Sequence, residues 1–236
     1  MANHTDAGRL AKEEGHTFER TVAEYLGKIK NQSFEVRGQS YTKVDVISED
    51  EKIRVSVKNP RGKNTQCALL SQASFIQCMD IRDEDLQLFI SQFFGNNLWK
   101  KYNRHRLTTS HIDPKLNKKF LNFLNSNKHR LYSLLLTQGT NLNVRENVNY
   151  MLWTTKKNSV DHLFALDFVK FKPHYMKGSW IQNETTFEYR VGDTKLLHLQ
   201  MKGSGKRYSS GYHSLMFHIH GGNLDDKYVM NVSEIG

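Results

Sequence analysis

The residues in this chain whose types and spacing could do chemistry lie in Tyr41–Asn64, YTKVDVISEDEKIRVSVKNPRGKN. An acid, Asp45, sits in an alternating run that ends at Ile47. A polar turn, Ser48–Lys52, follows, and a second alternating run, Ile53–Lys58, carries Ser56 and Lys58. Two period-two runs joined by a short charged turn predict a β-hairpin. Residues i and i+2 share one face of a strand, so Ser56 and Lys58 point the same way. Asp45 can lie across from them on the paired strand, bringing a carboxylate and an ammonium over one spot. A hard cation such as Mg²⁺ takes oxygen ligands and keeps several waters. Asp45, the Val57 carbonyl and Ser56, directly or through water, could supply those oxygens. Lys58 would then orient or help deprotonate an attacking water and offset phosphate charge. A plain surface hairpin, with Lys58 solvated and Asp45 near its turn, accounts for the same stretch equally well.

The elements around this hairpin must position it. Upstream, Ala11, Phe18, Val22, Tyr25, Leu26 and Ile29 are spaced as one apolar stripe, which predicts a helix capped at Thr5 or Asp6. Glu19 lies on that helix and could be aimed at the same site; a solvent-facing acid is the plainer account. Downstream, Asn59-Pro60-Arg61-Gly62-Lys63-Asn64 is a turn with two more cations, beside which a phosphodiester backbone could lie. Helices are predicted over Gln66–Met79, carrying Cys67 and Cys78, and over Asp83–Phe94, ended by Gly95. Trp99–Arg106 interleaves Lys100, Lys101, Arg104 and Arg106 with two aromatic rings, a composition suited to a nucleic-acid backbone or simply to a solvated loop. Asp113-Pro114 is an N-cap with proline at N1, opening two short helices over Lys115–Leu136.

After Gln138–Asn141 the pattern changes to strands: Tyr150–Thr155, Leu163–Phe171, Thr186–Val191, Leu196–Met201 and Leu215–His220. Between the last two runs Lys202–His213, with three glycines and the cations Lys202, Lys206 and Arg207. Its flexibility would let the backbone approach DNA, where Gln200, Lys202 and Arg207 can read base edges; a mobile surface loop is the alternative. The order of a P-loop is absent. His198, His213, His218 and His220 lack a Cys or carboxylate that would complete a zinc set at metal spacing, which leaves DNA contact or plain surface.

With 236 residues, 38% hydrophobic and 25% charged, the chain can bury a real core. Thirty-four Lys and Arg against 24 acids give +10, which favours a polyanionic partner. Two cysteines are too few for a disulfide framework. No apolar run approaches membrane-spanning length and no secretory h-region opens the chain, so a cytoplasmic protein is expected.

Gly15-x-x-x-Glu19, Val44-Asp45, Ser56-Val57-Lys58-Asn59, a basic turn and a Gln-bearing helix, in that order, resemble the small type II restriction endonucleases of the PD-(D/E)xK nuclease superfamily. The likeness is to the monomeric enzymes that cut four-base, GC-containing palindromes, in which an amide residue replaces the second acid. Here serine stands at that position. Leu197-His-Leu-Gln200-Met-Lys202-Gly203, the basic loop and Leu215–Ile219 resemble the family's recognition hairpin. The resemblance implies an α/β (α+β) fold: a mixed-sheet catalytic core over 1–137 and a β-rich DNA-recognition region over 138–236. It implies Asp45 as metal-binding acid, Lys58 as catalytic lysine and Glu19 as a helix-borne acid near the metal, with Ser56 at the altered position. Asn59, Arg61, Lys63, Lys100, Lys101, Arg104, Arg106, Gln200, Lys202, Lys206 and Arg207 become DNA contacts.

The expectation is thus a sequence-specific endonuclease for double-stranded DNA, dependent on Mg²⁺ with Mn²⁺ as a substitute. It would act as a monomer or weak dimer beside a cognate DNA methyltransferase. A structure-selective repair or recombination nuclease and a non-catalytic nucleic-acid-binding protein are the rivals.

Overall fold

Phe18, Val22 and Leu26 recur every four residues on the first helix and all three are buried, which seats that helix on a sheet. A computed structural model of the protein describes residues 4–37, 43–59, 64–94, 109–140, 147–183, 186–202, 214–224 and 228–236. Its mixed α and β architecture holds two sheets and two compact units, each assembled from separated segments.

The first unit comprises Met1–Thr65, Thr137–Phe171 and Leu224–Gly236. Helix α1 (His4–Lys30) packs on a mixed sheet of β1 (Phe34–Val36), β2 (Val46–Ser48), β3 (Arg54–Lys58), β5 (Tyr150–Thr154), β6 (Leu163–Asp167) and β11 (Val229–Asn231), hydrogen-bonded in that order. Within it β3 and β5 are parallel and the other pairs antiparallel. The core is Phe18, Val22, Leu26, Val46, Ile53, Val55, Val57, Leu152 and Ala165, closed at the C-terminus by Val232 and Ile235. Helix α1 begins at His4, so Thr5 and Asp6 are helical rather than caps.

The second unit comprises Gln66–Leu136 and Lys172–Asn223. Its five-stranded sheet runs β4 (Asn64–Ser71), β10 (Ser214–His220), β9 (Thr194–Lys202), β8 (Phe187–Val191), β7 (Ser179–Gln182). Its helices are α2 (Gln72–Met79), α3 (Glu84–Phe94), α4 (Pro114–Ser126) and α5 (Lys128–Tyr132), the last continued by a π turn, Ser133–Thr137. Rings lock this core: Phe89 stacks on Phe120 at 4.3 Å, and both meet Phe187 edge-on at 5.8 and 5.2 Å. Gly178 sits where an added Cβ would lie 2.5 Å from the Arg190 carbonyl oxygen, so only glycine lets β7 begin there.

The two units are interleaved rather than sequential. The chain passes between them at 65/66, 136/137, 171/172 and 223/224.

Several elements differ from the pattern reading. The helix expected over Gln66–Met79 is strand β4 followed by α2. Thr65, Cys67 and Leu70 turn inward from the strand, and the Ser71 hydroxyl accepts the Ser74 N–H at 3.0 Å to start the helix. Cys67 and Cys78 therefore lie on different elements, both buried. The strand expected over Leu163–Phe171 stops at Asp167, whose carboxylate accepts the N–H groups of Val169 and Lys170 and opens α6 (Phe168–Met176). Asp113 caps α4 as expected, accepting the Lys115 N–H at 2.8 Å ahead of Pro114. The short strands β1, β7 and β11 carry too few residues for an alternating signal.

Candidate active site

The predicted hairpin is β2–β3, paired Val46 with Val55 and Ile47 with Arg54. Asp45 immediately precedes β2, and its N–H donates to the Val55 carbonyl at 2.8 Å, so the acid is held in the sheet register. The polar turn closes through Ser48, whose hydroxyl donates to Asp50 and accepts the Ile53 N–H.

Three donors converge on one oxygen. Asp45 Oδ2 accepts the Val57 N–H at 2.7 Å, the Ser56 hydroxyl at 3.1 Å and Lys58 Nζ at 3.5 Å. Ser56 and Lys58 do share a face with Asp45, as the i, i+2 spacing predicts. Among the described residues no hydrogen bond reaches Asp45 Oδ1. Ser56 is 3% exposed and spends its hydroxyl proton on Asp45, acting as an orienting group. Val57 enters the site through its N–H; the carbonyl reading rests on sequence.

Glu19, on helix α1 of the same unit, feels the charges of Asp45 and Lys58. Its carboxyl is held above the ordinary carboxylate range, first by burial and then by the negative charge of Asp45, while His16 and Lys58 act in the opposite sense. Two carboxylates near each other in a partly buried place repel, and a cation between them would relieve that. His16 is a residue the sequence reading passed over. Its Nδ1 lies 3.0 Å from Glu19 Oε2, one helical turn away, and fixes where that carboxylate points.

A divalent cation fits this donor set. Mg²⁺ is bound through one or two carboxylates plus waters and substrate phosphate oxygens rather than by an all-protein cage. Asp45 Oδ1 and Glu19 are two such carboxylates, and among the described residues no group of three or more His, Cys, Asp or Glu forms a protein-only cage.

The expected DNA contacts fare variously. Asn59 closes the β3 end, but both ends of its amide are taken by Asn158: Nδ2 donates to Asn158 Oδ1 and Oδ1 accepts the Asn158 N–H. Gln200 and Lys202 lie on β9, opposite Met216 and Ser214 of β10. Arg61, Lys63, Lys100, Lys101, Arg104, Arg106, Lys206 and Arg207 lie outside the described residues, as does His213. His198, His218 and His220 gather in the second unit. His198 faces His218 across the strand pair with rings stacked at 4.8 Å, and His198 Nδ1 is 2.7 Å from His220 Nε2. No helix among the described residues is long and apolar enough to cross a membrane.

No protein-family model and no curated protein matches the sequence. Among solved structures, the chain is similar to that of the restriction endonuclease MspI in complex with its cognate DNA. The identity is 10% and the TM-score 0.48, over 84% of this chain and 77% of that one.

Proposed function

We propose that this protein is a Mg²⁺-dependent endonuclease that hydrolyses phosphodiester bonds of double-stranded DNA at a short, specific site. The observation that carries the reading is the convergence on Asp45: Val57, Ser56 and Lys58 occupy Oδ2, and the raised Glu19 carboxyl stands nearby. Asp45 and Glu19 would hold the Mg²⁺, or Mn²⁺ in its stead, which would supply Lewis-acid charge at the scissile phosphate. Ser56 and the Val57 amide hold Asp45 still, and His16 holds Glu19. Lys58 orients the attacking water and offsets charge that builds on the phosphate oxygens. The water oxygen bonds to phosphorus as the bond to the leaving sugar oxygen breaks; the water's proton passes to solvent and the leaving oxygen takes one up.

The +10 charge suits a polyanionic substrate. Gln200 and Lys202, and Lys206 and Arg207 beyond them, supply base or phosphate contacts in this reading. A cell holding such an activity needs its own sites masked, which is the place of a partner DNA methyltransferase. Digestion of a mixed-sequence plasmid, with and without Mg²⁺, tests the reading. Discrete, reproducible fragments that need the metal support it. Nicks confined to junctions or lesions point to a repair nuclease, and intact plasmid with tight binding to a non-catalytic protein.

A further inference from the structure

The active-site edge of the first unit carries a second built feature, the turn that follows β5. Strands β3 and β5 are parallel, with Lys58 opposite Trp153, so both chains leave the sheet at the same edge. After β5 the sequence reads Thr154-Thr155-Lys156-Lys157-Asn158-Ser159. This turn is pinned at three places. The fully buried Thr154 hydroxyl donates to the Lys156 carbonyl at 2.7 Å and accepts the Lys156 N–H at 3.1 Å. Asn158, in the left-handed region at φ 62°, is bound in both directions by the Asn59 amide, the residue directly after Lys58. Lys157 Nζ reaches Glu14 on α1 at 2.6 Å.

The two lysines are thereby put to different uses. Lys157 is neutralised by Glu14. Lys156 is exposed, and among the described residues no carboxylate lies within ion-pair distance of it. Its backbone is nevertheless bound on both sides by Thr154. A cation with no carboxylate partner among the described residues, on a backbone tied through Asn59 to the strand that bears Lys58, suits an anion whose position is set relative to the reacting phosphate. The phosphates of one nucleic-acid strand are such anions.

We infer that the Thr154–Ser159 turn is a backbone-phosphate contact of the bound duplex, with Lys156 as the contacting cation and the Asn59–Asn158 pair as the strut that sets its distance from Lys58. The inference rests on the nucleic-acid reading above. It reassigns Asn59 from touching DNA to holding the turn that does.

The test is a fluorescence-anisotropy titration of the full chain with a mixed-sequence duplex in EDTA, over a series of salt concentrations. Lys156→Ala should weaken binding to every sequence alike and reduce the log–log salt slope by about 0.9, the value for one phosphate. Lys156→Arg should restore the slope. Lys52→Ala, at the turn at the other end of β3, should leave it unchanged. Thermal unfolding of Lys156→Ala at the wild-type temperature shows that the fold is intact. A wild-type slope in Lys156→Ala, or an equal loss in Lys52→Ala, overturns the inference. Failure of the nuclease reading is separate: a lowered slope in Lys156→Ala, beside wild-type protein that binds duplex yet never cuts plasmid, keeps the turn and loses the catalysis.

Discussion

The Val57 N–H donates to Asp45 Oδ2 at 2.7 Å, so the strand that carries Lys58 also aims the acid. An acid held by a backbone amide cannot drift with its side chain, and the amide sits one residue from the lysine. The site is therefore built from backbone register more than from side-chain packing.

Removing either charged end of this arrangement should stop the chemistry and spare the grip. Asp45→Ala and Lys58→Ala are expected to abolish Mg²⁺-dependent cleavage while duplex affinity stays within about tenfold, ~1.4 kcal/mol. Full activity in either variant would take the hairpin out of the mechanism.

Ser56 is expected to matter less than its position in the motif suggests. Ser56→Ala removes one of three donors to Asp45 Oδ2 and should cost about 1 kcal/mol of stability, with cleavage lowered by about tenfold or less. Ser56→Glu puts a second carboxylate at a position only 3% exposed and next to Asp45, and should lower the unfolding temperature unless Mg²⁺ is present. Chemical denaturation and rate measurements on the pair of variants decide this.

Glu19 should trade stability for metal binding. Its folded carboxyl has a higher affinity for protons than in the unfolded chain, so its ionisation disfavours the fold as pH rises above the ordinary 4.5 and through the raised value. Glu19→Gln should accordingly raise the unfolding temperature at neutral pH without metal. The same variant should lose most of the stabilisation that added Mg²⁺ gives the wild type, about 2.7 kcal/mol at a hundredfold excess over the dissociation constant. His16→Ala, which frees the carboxylate, should weaken Mg²⁺ binding while leaving the metal-free unfolding temperature nearly unchanged. Differential scanning calorimetry over a Mg²⁺ series reads all three; a Glu19→Gln response equal to wild type would return Glu19 to the surface.

Acid should loosen the histidine-bearing sheet. Burial holds His218 and His220 below the ordinary 6.5; for His220, Lys195 and His218 push the same way and Glu188 opposes them. His198 faces both rings. The unfolded chain binds more protons than the folded one below that pH, so stability is present above 6.5 and lost as pH falls through the lowered values. Urea midpoints followed from about pH 7 to 5 should fall, and His218→Asn with His220→Asn should flatten the curve. A midpoint that does not move with pH refutes this account of the cluster.

Much of the site was legible in the sequence because its parts are local. Asp45, the turn and Ser56–Lys58 lie within fourteen residues, and period-two alternation on both sides of a charged turn specifies which side chains share a face. The α1 stripe of Phe18, Val22 and Leu26 puts Glu19 on that helix by periodicity, while its place near a metal came only from the family resemblance. Asp113-Pro114 announces its helix by capping chemistry that needs no tertiary partner.

Periodicity misled where a polar residue ended one element and began another. Asn64–Ser71 and Leu163–Asp167 are strands running straight into helices, and the switch is made by the Ser71 and Asp167 side chains capturing the first free N–H groups. What only the tertiary structure decided spans long separations. The parallel pairing of β3 with β5 joins residues 95 apart, and the Asn59–Asn158 amide pair joins residues 99 apart. No local pattern encodes such a partner, because it is selected by burial and register in the assembled sheet. Sequence alone therefore determined which side chains share a face of the hairpin and the +10 charge of the chain. The sheet that brings the β5 turn to the end of β3 decided that the Asn59 and Asn158 amides bind each other, and left Lys156 without a carboxylate partner among the described residues.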